Sequence, residues 1–334
     1  MKFSQYINEW LYGPQGYYTT LPSIGKRGDF YTSVSASMFF GGTLGKMIVD
    51  CVKRGEISEN ATIVEFGVHQ GYMLGDIIQF IYTLEPKLLK SLNFVVVEPI
   101  AKLRKIQKEY FQKAFQDAVS IKILPSIHEF CGEDVLVLSN ELFDAFPCEV
   151  IYDEQMLHIK NNIPYFKKMD SKTLELSKKL GVKKGEIGVG YDEFFSVLLK
   201  SSKNCRFISF DYGQEYPRED FSLRVYKNHQ TFPSFSLTTK AGEKERLAEF
   251  FGKSDITYDV NFAHIKSSMK FCGFKNIQIK SQMKALVEFG LHDLLSLFES
   301  KVDEKTYQHE LQKAKQLILP AYFGERFKMI LCEK

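Results

Sequence analysis

The residues with the clearest chemical potential run Glu65-Phe66-Gly67-Val68-His69-Gln70-Gly71, and Gly75-Asp76 follows one helical turn later. Glycines after a strand let backbone approach a ligand, and a helix that starts there offers unpaired N–H groups. The run lacks the G-x-G-x-x-G of a dinucleotide fingerprint and the G-x-x-x-x-G-K-[ST] of a P-loop. That disfavours a nicotinamide-dependent oxidoreductase. An acid two residues before the first glycine suits a cationic ligand, and S-adenosylmethionine carries an ammonium and a sulfonium. A second acid, Glu98, precedes Pro99 about thirty residues on, where a nucleoside would present its ribose hydroxyls. Each position also has a plain reading: a tight turn without ligand, and a solvent-exposed glutamate.

Farther along stands Ser139-Asn140-Glu141-Leu142-Phe143-Asp144-Ala145-Phe146-Pro147. Two carboxylates and an amide there can hold and orient a guanidinium or amine that loses a proton as it attacks a methyl group. Placing acceptor and methyl in line at close contact supplies most of the rate. The competing reading is helix capping by Asn140 and Glu141. His69 likewise has two readings, as a contact to a cofactor carboxylate or proton acceptor, and as a structural histidine.

Strands and helices must position these groups. Thr62-Ile63-Val64-Glu65-Phe66 is a β-branched run, Gly67 to Gly71 break it, and Tyr72 to Leu84 reads as a helix. Asn93–Val97 predicts a second strand, followed by a helix over Ala101–Phe115 with apolar residues Leu103, Ile106, Tyr110 and Ala114. Val119–Leu124, Val135–Ser139 and Arg206–Asp211 predict third, fourth and fifth strands, with a helix over Asp192–Lys200. This alternation implies an α/β fold with a mostly parallel sheet covered on both faces. Asn276–Lys280 and Arg326–Cys332, with two helices between them, suit an antiparallel edge hairpin. Helices are expected over Phe3–Leu11 and Met38–Lys53, with a loop from Gly13 to Asp29. The organisation is an N-terminal helical segment with a covering loop over residues 1–60, then a core over 61–334 with insertions near 148–190 and 214–265. Thr231–Gly252 reads as a mobile lid, and the Phe-rich stretch at 232–235 and Phe250-Phe251 as packing.

The chain has 334 residues, 44% hydrophobic and 25% charged, which is enough for a sizeable core without disulfide or metal staples. A net charge of +3 is too weak a bias for a nucleic-acid surface. Six cysteines lie scattered with no C-x-x-C pair and no histidine at ligand spacing, so neither a zinc site nor a disulfide framework is expected. No run of about 20 apolar residues is present, and the first residues lack a signal-peptide core, so the expectation is a cytoplasmic protein without a membrane span.

The segments Gly16-Tyr17-Tyr18, Gly28-Asp29-Phe30-Tyr31-Thr32-Ser33, Val64-Glu65-Phe66-Gly67 through Gly75-Asp76-Ile77, and Asn140-Glu141-Leu142-Phe143-Asp144-Ala145-Phe146-Pro147 follow one another in this order. Asp211-Tyr212-Gly213, Leu223-Arg224-Val225-Tyr226 with His229, Asp255-Ile256-Thr257 with Asp259-Val260-Asn261-Phe262, and Gly324-Glu325-Arg326-Phe327 complete the series. Together they resemble the MidA family of class I methyltransferase-fold proteins, which includes the mitochondrial complex I assembly arginine methyltransferase. The resemblance implies a Rossmann-like sheet of seven strands with an antiparallel edge hairpin and an added helical or insertion lobe. It implies S-adenosyl-L-methionine as cofactor, no metal, and an arginine nitrogen of a protein as acceptor, by analogy in a respiratory-complex subunit. A homodimer is compatible with it.

Carried residue by residue, the resemblance puts Glu65, Gly67, His69, Gly71 and Asp76 on the cofactor turn and Glu98 on the ribose. Asn140 and Glu141 border the cofactor, and Gly28, Asp29, Thr32 and Ser33 belong to the loop that covers it. Glu141, Asp144 and Asp211 are the expected catalytic carboxylates. One departure stands out: the family reads Gly-Pro-Gly-x-Gly at the turn, and His69 replaces the middle glycine. A side chain there is tolerated if φ is negative. The rival reading is an assembly or binding protein that keeps the fold with an impaired cofactor site.

Overall fold

The computed structural model describes residues 1–20, 32–227, 230–233 and 247–334. The chain divides into two compact units, Met1–Phe30 with Phe143–Phe194 and Tyr212–Ser268, and Tyr31–Leu142 with Phe195–Asp211 and Met269–Lys334.

The second unit holds the main sheet. Seven strands of this eight-stranded sheet, β1 (Thr62–Phe66), β2 (Asn93–Val97), β3 (Ile121–Leu124), β4 (Gly132–Asn140), β5 (Ser202–Gln214, of which the part to Asp211 belongs to this unit), β6 (Lys275–Ser281) and β7 (Phe327–Glu333), run in the order β6-β7-β5-β4-β1-β2-β3. Strands β3, β2, β1, β4 and β5 run parallel to their neighbours, and β6 pairs with β7 antiparallel. Val95, Val96 and Val97, and Ile63 and Val64, are buried, as strands covered on both faces require. The fold is thus the expected α/β, mostly parallel one.

Three details differ from the sequence reading. β3 starts at Ile121, and β5 is longer than its apolar stretch. β6 and β7 form the expected antiparallel edge pair, but three helices, Gln282–Glu288, Leu291–Glu299 and Glu304–Ile318, lie between them where two were expected. Gly290, with φ +92° at the start of the second, breaks what reads as continuous helical pattern.

The helix Phe39–Lys53 packs on the helix Tyr72–Leu84. A Cβ on Gly42 would lie 2.8 Å from the Phe80 ring, so the glycine permits this close approach. The helix Ala101–Phe115 buries Leu103, Gln107 and Phe111, a stripe of spacing four. Ile106 and Tyr110 are only half-buried and Ala114 is exposed, so the buried face is rotated from the expected one.

In the first unit, the strands Ile163–Lys168, Gln155–Lys160, Cys148–Tyr152 and Lys184–Gly188 form an antiparallel sheet in that order. The strands Gln230–Pro233, Arg224–Lys227 and Asp255–Thr257 form another. The helix Phe3–Tyr12 buries Phe3, Ile7, Trp10 and Leu11 in a core shared with Val150, Leu157, Val225 and Ile256, and Trp10 Nε1 donates to the Ser254 carbonyl at 2.7 Å. Residues 17–20, expected as loop, form a short helix. Phe250 packs on Phe232 with ring centres 5.0 Å apart, whereas most of the expected lid lies outside the described residues.

Candidate functional site

Register brings the candidate residues of the second unit to one edge. Phe66 is level with Val97 on β2 and with Ser139 on β4, and Ser139 is level with Ser209 on β5. Gly67, Glu98 and Asn140, each one residue further, therefore stand side by side at the carboxyl ends of three adjacent parallel strands. Asn140 pairs with Phe210, so Glu141 and Asp211 occupy the next level, and the Glu141 N–H donates to the Phe210 carbonyl at 2.8 Å. The strand order reverses direction between β1 and β4, the place where open parallel sheets bind ligands. Ser139 and Ser209 tie β4 to β5 by a buried hydroxyl pair at 2.8 Å.

The turn after β1 is closed by the Gly71 N–H, which donates to the Val68 carbonyl at 2.8 Å. His69 has φ +48°, so the side chain sits where the backbone takes a glycine-type conformation and not the negative φ that would accommodate it without strain. The residue as a whole is exposed, while the protein packed around its imidazole disfavours the charged form and lowers its pKa. Gly71 has φ +90° at the start of the helix Tyr72–Leu84, and a Cβ there would lie 2.6 Å from Phe111 Cζ. Glu141 also has positive φ, +52°, so two side chains at neighbouring strand tips are held in backbone conformations that L-residues rarely adopt.

Three acids of this unit share an electrostatic character. Burial drives the Glu65 carboxyl well above its usual range, against a hydrogen bond from the Leu74 N–H and with the nearby Asp76 adding to the rise. Its Oε2 is buried without a hydrogen-bond partner. Burial likewise pushes Asp76 up to about 7. Glu98, 3% exposed, is pushed up to about 7 by burial, against hydrogen bonds from the Ile100 N–H (2.9 Å) and from Gln107 Nε2 (3.4 Å). Each of these acids is more easily ionised beside a cation or hydroxyl donors than alone.

Gln107 is a residue that sequence reasoning missed. It is fully buried, and its Nε2 also donates to the His69 carbonyl at 2.9 Å. The signal was available as a polar residue four from Leu103 and four from Phe111.

The remaining candidates lie as follows. Asn140 Nδ2 donates to Glu141 Oε1 at 2.9 Å, and Asp211 is wholly buried at the end of the β5 segment in this unit. Thr32 caps the short helix Ser33–Ala36, accepting from the Ser35 N–H at 3.1 Å. The Ser33 hydroxyl is buried and donates to Gln282 Oε1 at 3.0 Å. Gly28 and Asp29 lie outside the described residues. Asp144 belongs to the first unit, where Tyr212 donates to its Oδ2 at 2.9 Å and burial pushes it up to about 6. Tyr212 also lies 2.5 Å from Thr257 Oγ1, and the Arg224 guanidinium sits 5.6 Å from its ring centre and pairs with Asp259. The sequence motifs around 144, 212, 224, 257 and 259 thus meet in one buried network of that unit.

Residues 43–279 match the model of a protein family described as "Putative S-adenosyl-L-methionine-dependent methyltransferase". The human protein arginine methyltransferase NDUFAF7, mitochondrial, is 28% identical over 164 residues, 43% of this chain and 37% of the relative. The bovine counterpart is 34% identical over 167 residues, with the same coverage of 43% and 37%. The match thus spans little more than a third of the length of these two relatives. The rat counterpart aligns over 97% of this chain and 79% of its own length at 22% identity. A Burkholderia thailandensis protein solved with S-adenosyl-homocysteine bound shares the fold over 100% of this chain and 88% of its own, with a TM-score of 0.80 and 21% identity.

Proposed function

This chain belongs to that family of S-adenosyl-L-methionine-dependent methyltransferases, the MidA family its motifs resemble, and we propose that it methylates an arginine nitrogen of a protein substrate. The observation that carries the reading is the alignment of Gly67, Glu98, Asn140 and Glu141 along one carboxyl edge at the reversal of strand order.

The residues fit the family's cofactor. Glu65 presents a buried oxygen without a partner, Gly67 and Gly71 have positive φ, and Glu98 is an acid at the tip of the neighbouring strand. In this reading Glu65 and the turn hold the charged methionine part, Asp76 adds negative charge, and Glu98 accepts hydrogen bonds from the ribose hydroxyls. When bound, S-adenosyl-L-methionine supplies a methyl group on a positively charged sulfur. Glu141 and Asp211 orient the guanidinium of the acceptor and favour its approach by charge, and Glu141 holds the proton released on attack. Asn140 keeps Glu141 in place through its 2.9 Å hydrogen bond. Support for arginine as acceptor comes from the names of the human and bovine relatives.

The test incubates the full chain with S-adenosyl-L-methionine carrying a labelled methyl group and a protein extract, followed by mass spectrometry of the labelled residues. Label on arginine is the expected result. Label on lysine or only on small molecules overturns the acceptor assignment. Cofactor binding without any transfer favours an assembly protein with an impaired site.

A further inference from the structure

Gln107 lies outside every motif that pointed to the site, yet it touches two parts of it. We propose that Gln107 is a positioning residue of the cofactor site, whose side-chain amide clamps the His69 carbonyl and the Glu98 carboxylate so that the turn and the ribose-binding acid keep a fixed spacing. The proposal rests on the reading of Glu98 as the ribose acid.

A glutamine amide has two N–H groups. In Gln107 the Nε2 faces two acceptors, the His69 oxygen at 2.9 Å and Glu98 Oε2 at 3.4 Å. Both donors are thereby used on the site, while Oε1 is buried without a hydrogen-bond partner. A fully buried amide in the middle of a helix stripe between Leu103 and Phe111 is unfavourable unless its hydrogen bonds return something specific. An aliphatic residue would fill the same stripe without that cost.

What the amide returns is order at two soft points. The His69 carbonyl belongs to a residue of positive φ, whose peptide orientation is strained and therefore needs an external hold. The Glu98 side chain is fixed on its other oxygen by the Ile100 N–H, and Gln107 fixes the second, so the carboxylate cannot rotate away from the ribose position. The same helix presses Phe111 toward Gly71, which braces the far end of the turn. Helix Ala101–Phe115 thus holds the turn and the acid together, and Gln107 is its polar contact.

The test measures binding of S-adenosyl-homocysteine, adenosine and 2′,3′-dideoxyadenosine to the full chain by calorimetry, in the wild type, Q107L and Q107E. Wild type is expected to prefer adenosine over the dideoxy compound. Q107L is expected to lose about tenfold for the two ribose-bearing ligands, the effect of removing a hydrogen bond to a charged group, and to bind the dideoxy compound as wild type does. Q107E, equal in size, places a second carboxylate beside Glu98 and is expected to lose at least as much for the ribose-bearing ligands. It carries the test should Q107L fail to fold. Equal losses for all three ligands, or none, overturn the positioning role while wild-type binding stands. A wild type that does not distinguish adenosine from the dideoxy compound overturns the ribose assignment of Glu98 itself.

Discussion

Replacing Glu98 with glutamine separates the cost of this acid in the empty protein from its use with ligand. Burial pushes the Glu98 carboxyl from 4.5 up to about 7. A folded-state pKa above the unfolded one means that the protonated acid stabilises the fold fully below pH 4.5. That stability is lost as pH rises through about 7, and the loss amounts to about 3 kcal/mol above that point. The substituted glutamine carries no charge and keeps an oxygen for the Ile100 N–H, but its amide nitrogen faces the Gln107 amide nitrogen, so the 3.4 Å bond is lost unless Gln107 turns and gives up its bond to the His69 carbonyl. E98Q is therefore expected to match wild type near pH 5 and to be more stable by about 1 to 3 kcal/mol at pH 8, after an allowance for imperfect hydrogen bonds. Urea denaturation of both proteins without cofactor at pH 5, 6, 7 and 8 measures the difference. Cofactor affinity moves the other way: E98Q is expected to bind S-adenosyl-L-methionine about tenfold more weakly at pH 8, because a neutral amide is a poorer acceptor for ribose hydroxyls. Wild-type affinity is expected to fall as pH drops below about 7, where Glu98 and Asp76 take up protons. A stability difference that stays flat with pH, or an E98Q protein less stable at pH 8, refutes the buried-acid argument.

Gly71→Ala sets a Cβ 2.6 Å from Phe111 on a residue with φ +90°, and is expected to cost about 2 to 4 kcal/mol from strain and overpacking, read as a lower Tm and weaker cofactor binding. His69→Gly relieves positive-φ strain at an exposed residue while adding backbone entropy to the unfolded chain. Stability and cofactor affinity are each expected to change by less than about 1 kcal/mol, and a large gain in affinity by calorimetry would show that the imidazole obstructs the site. Glu141→Gln is expected to slow methyl transfer about 100-fold at saturating cofactor while leaving cofactor affinity nearly unchanged; loss of affinity instead would make Glu141 a cofactor ligand alone.

The local pattern of the chain determined the alternation of strands and helices and the strand-turn-helix at Glu65–Gly75. Buried parallel strands must be β-branched and continuous, and a turn that closes on a helix must contain glycine. Glu98 and Asn140-Glu141 were likewise legible, because the residue that follows a buried strand falls at the sheet edge whatever the register turns out to be. Periodicity could not tell a buried glutamine from a surface one, so Gln107 went unseen and the stripe of its helix was drawn one residue off. Nor could residue type report the positive φ of His69 and Glu141: the Glu141 N–H is tied to Phe210 on another strand and the His69 carbonyl to Gln107 on another helix, contacts between segments far apart in the chain. The three-helix excursion between β6 and β7 and the engagement of Asp144 by Tyr212 depend on contacts between segments far apart in the chain. Residue type thus set which groups could do chemistry, while strand order and register, which no local signal encodes, set which of them stand together.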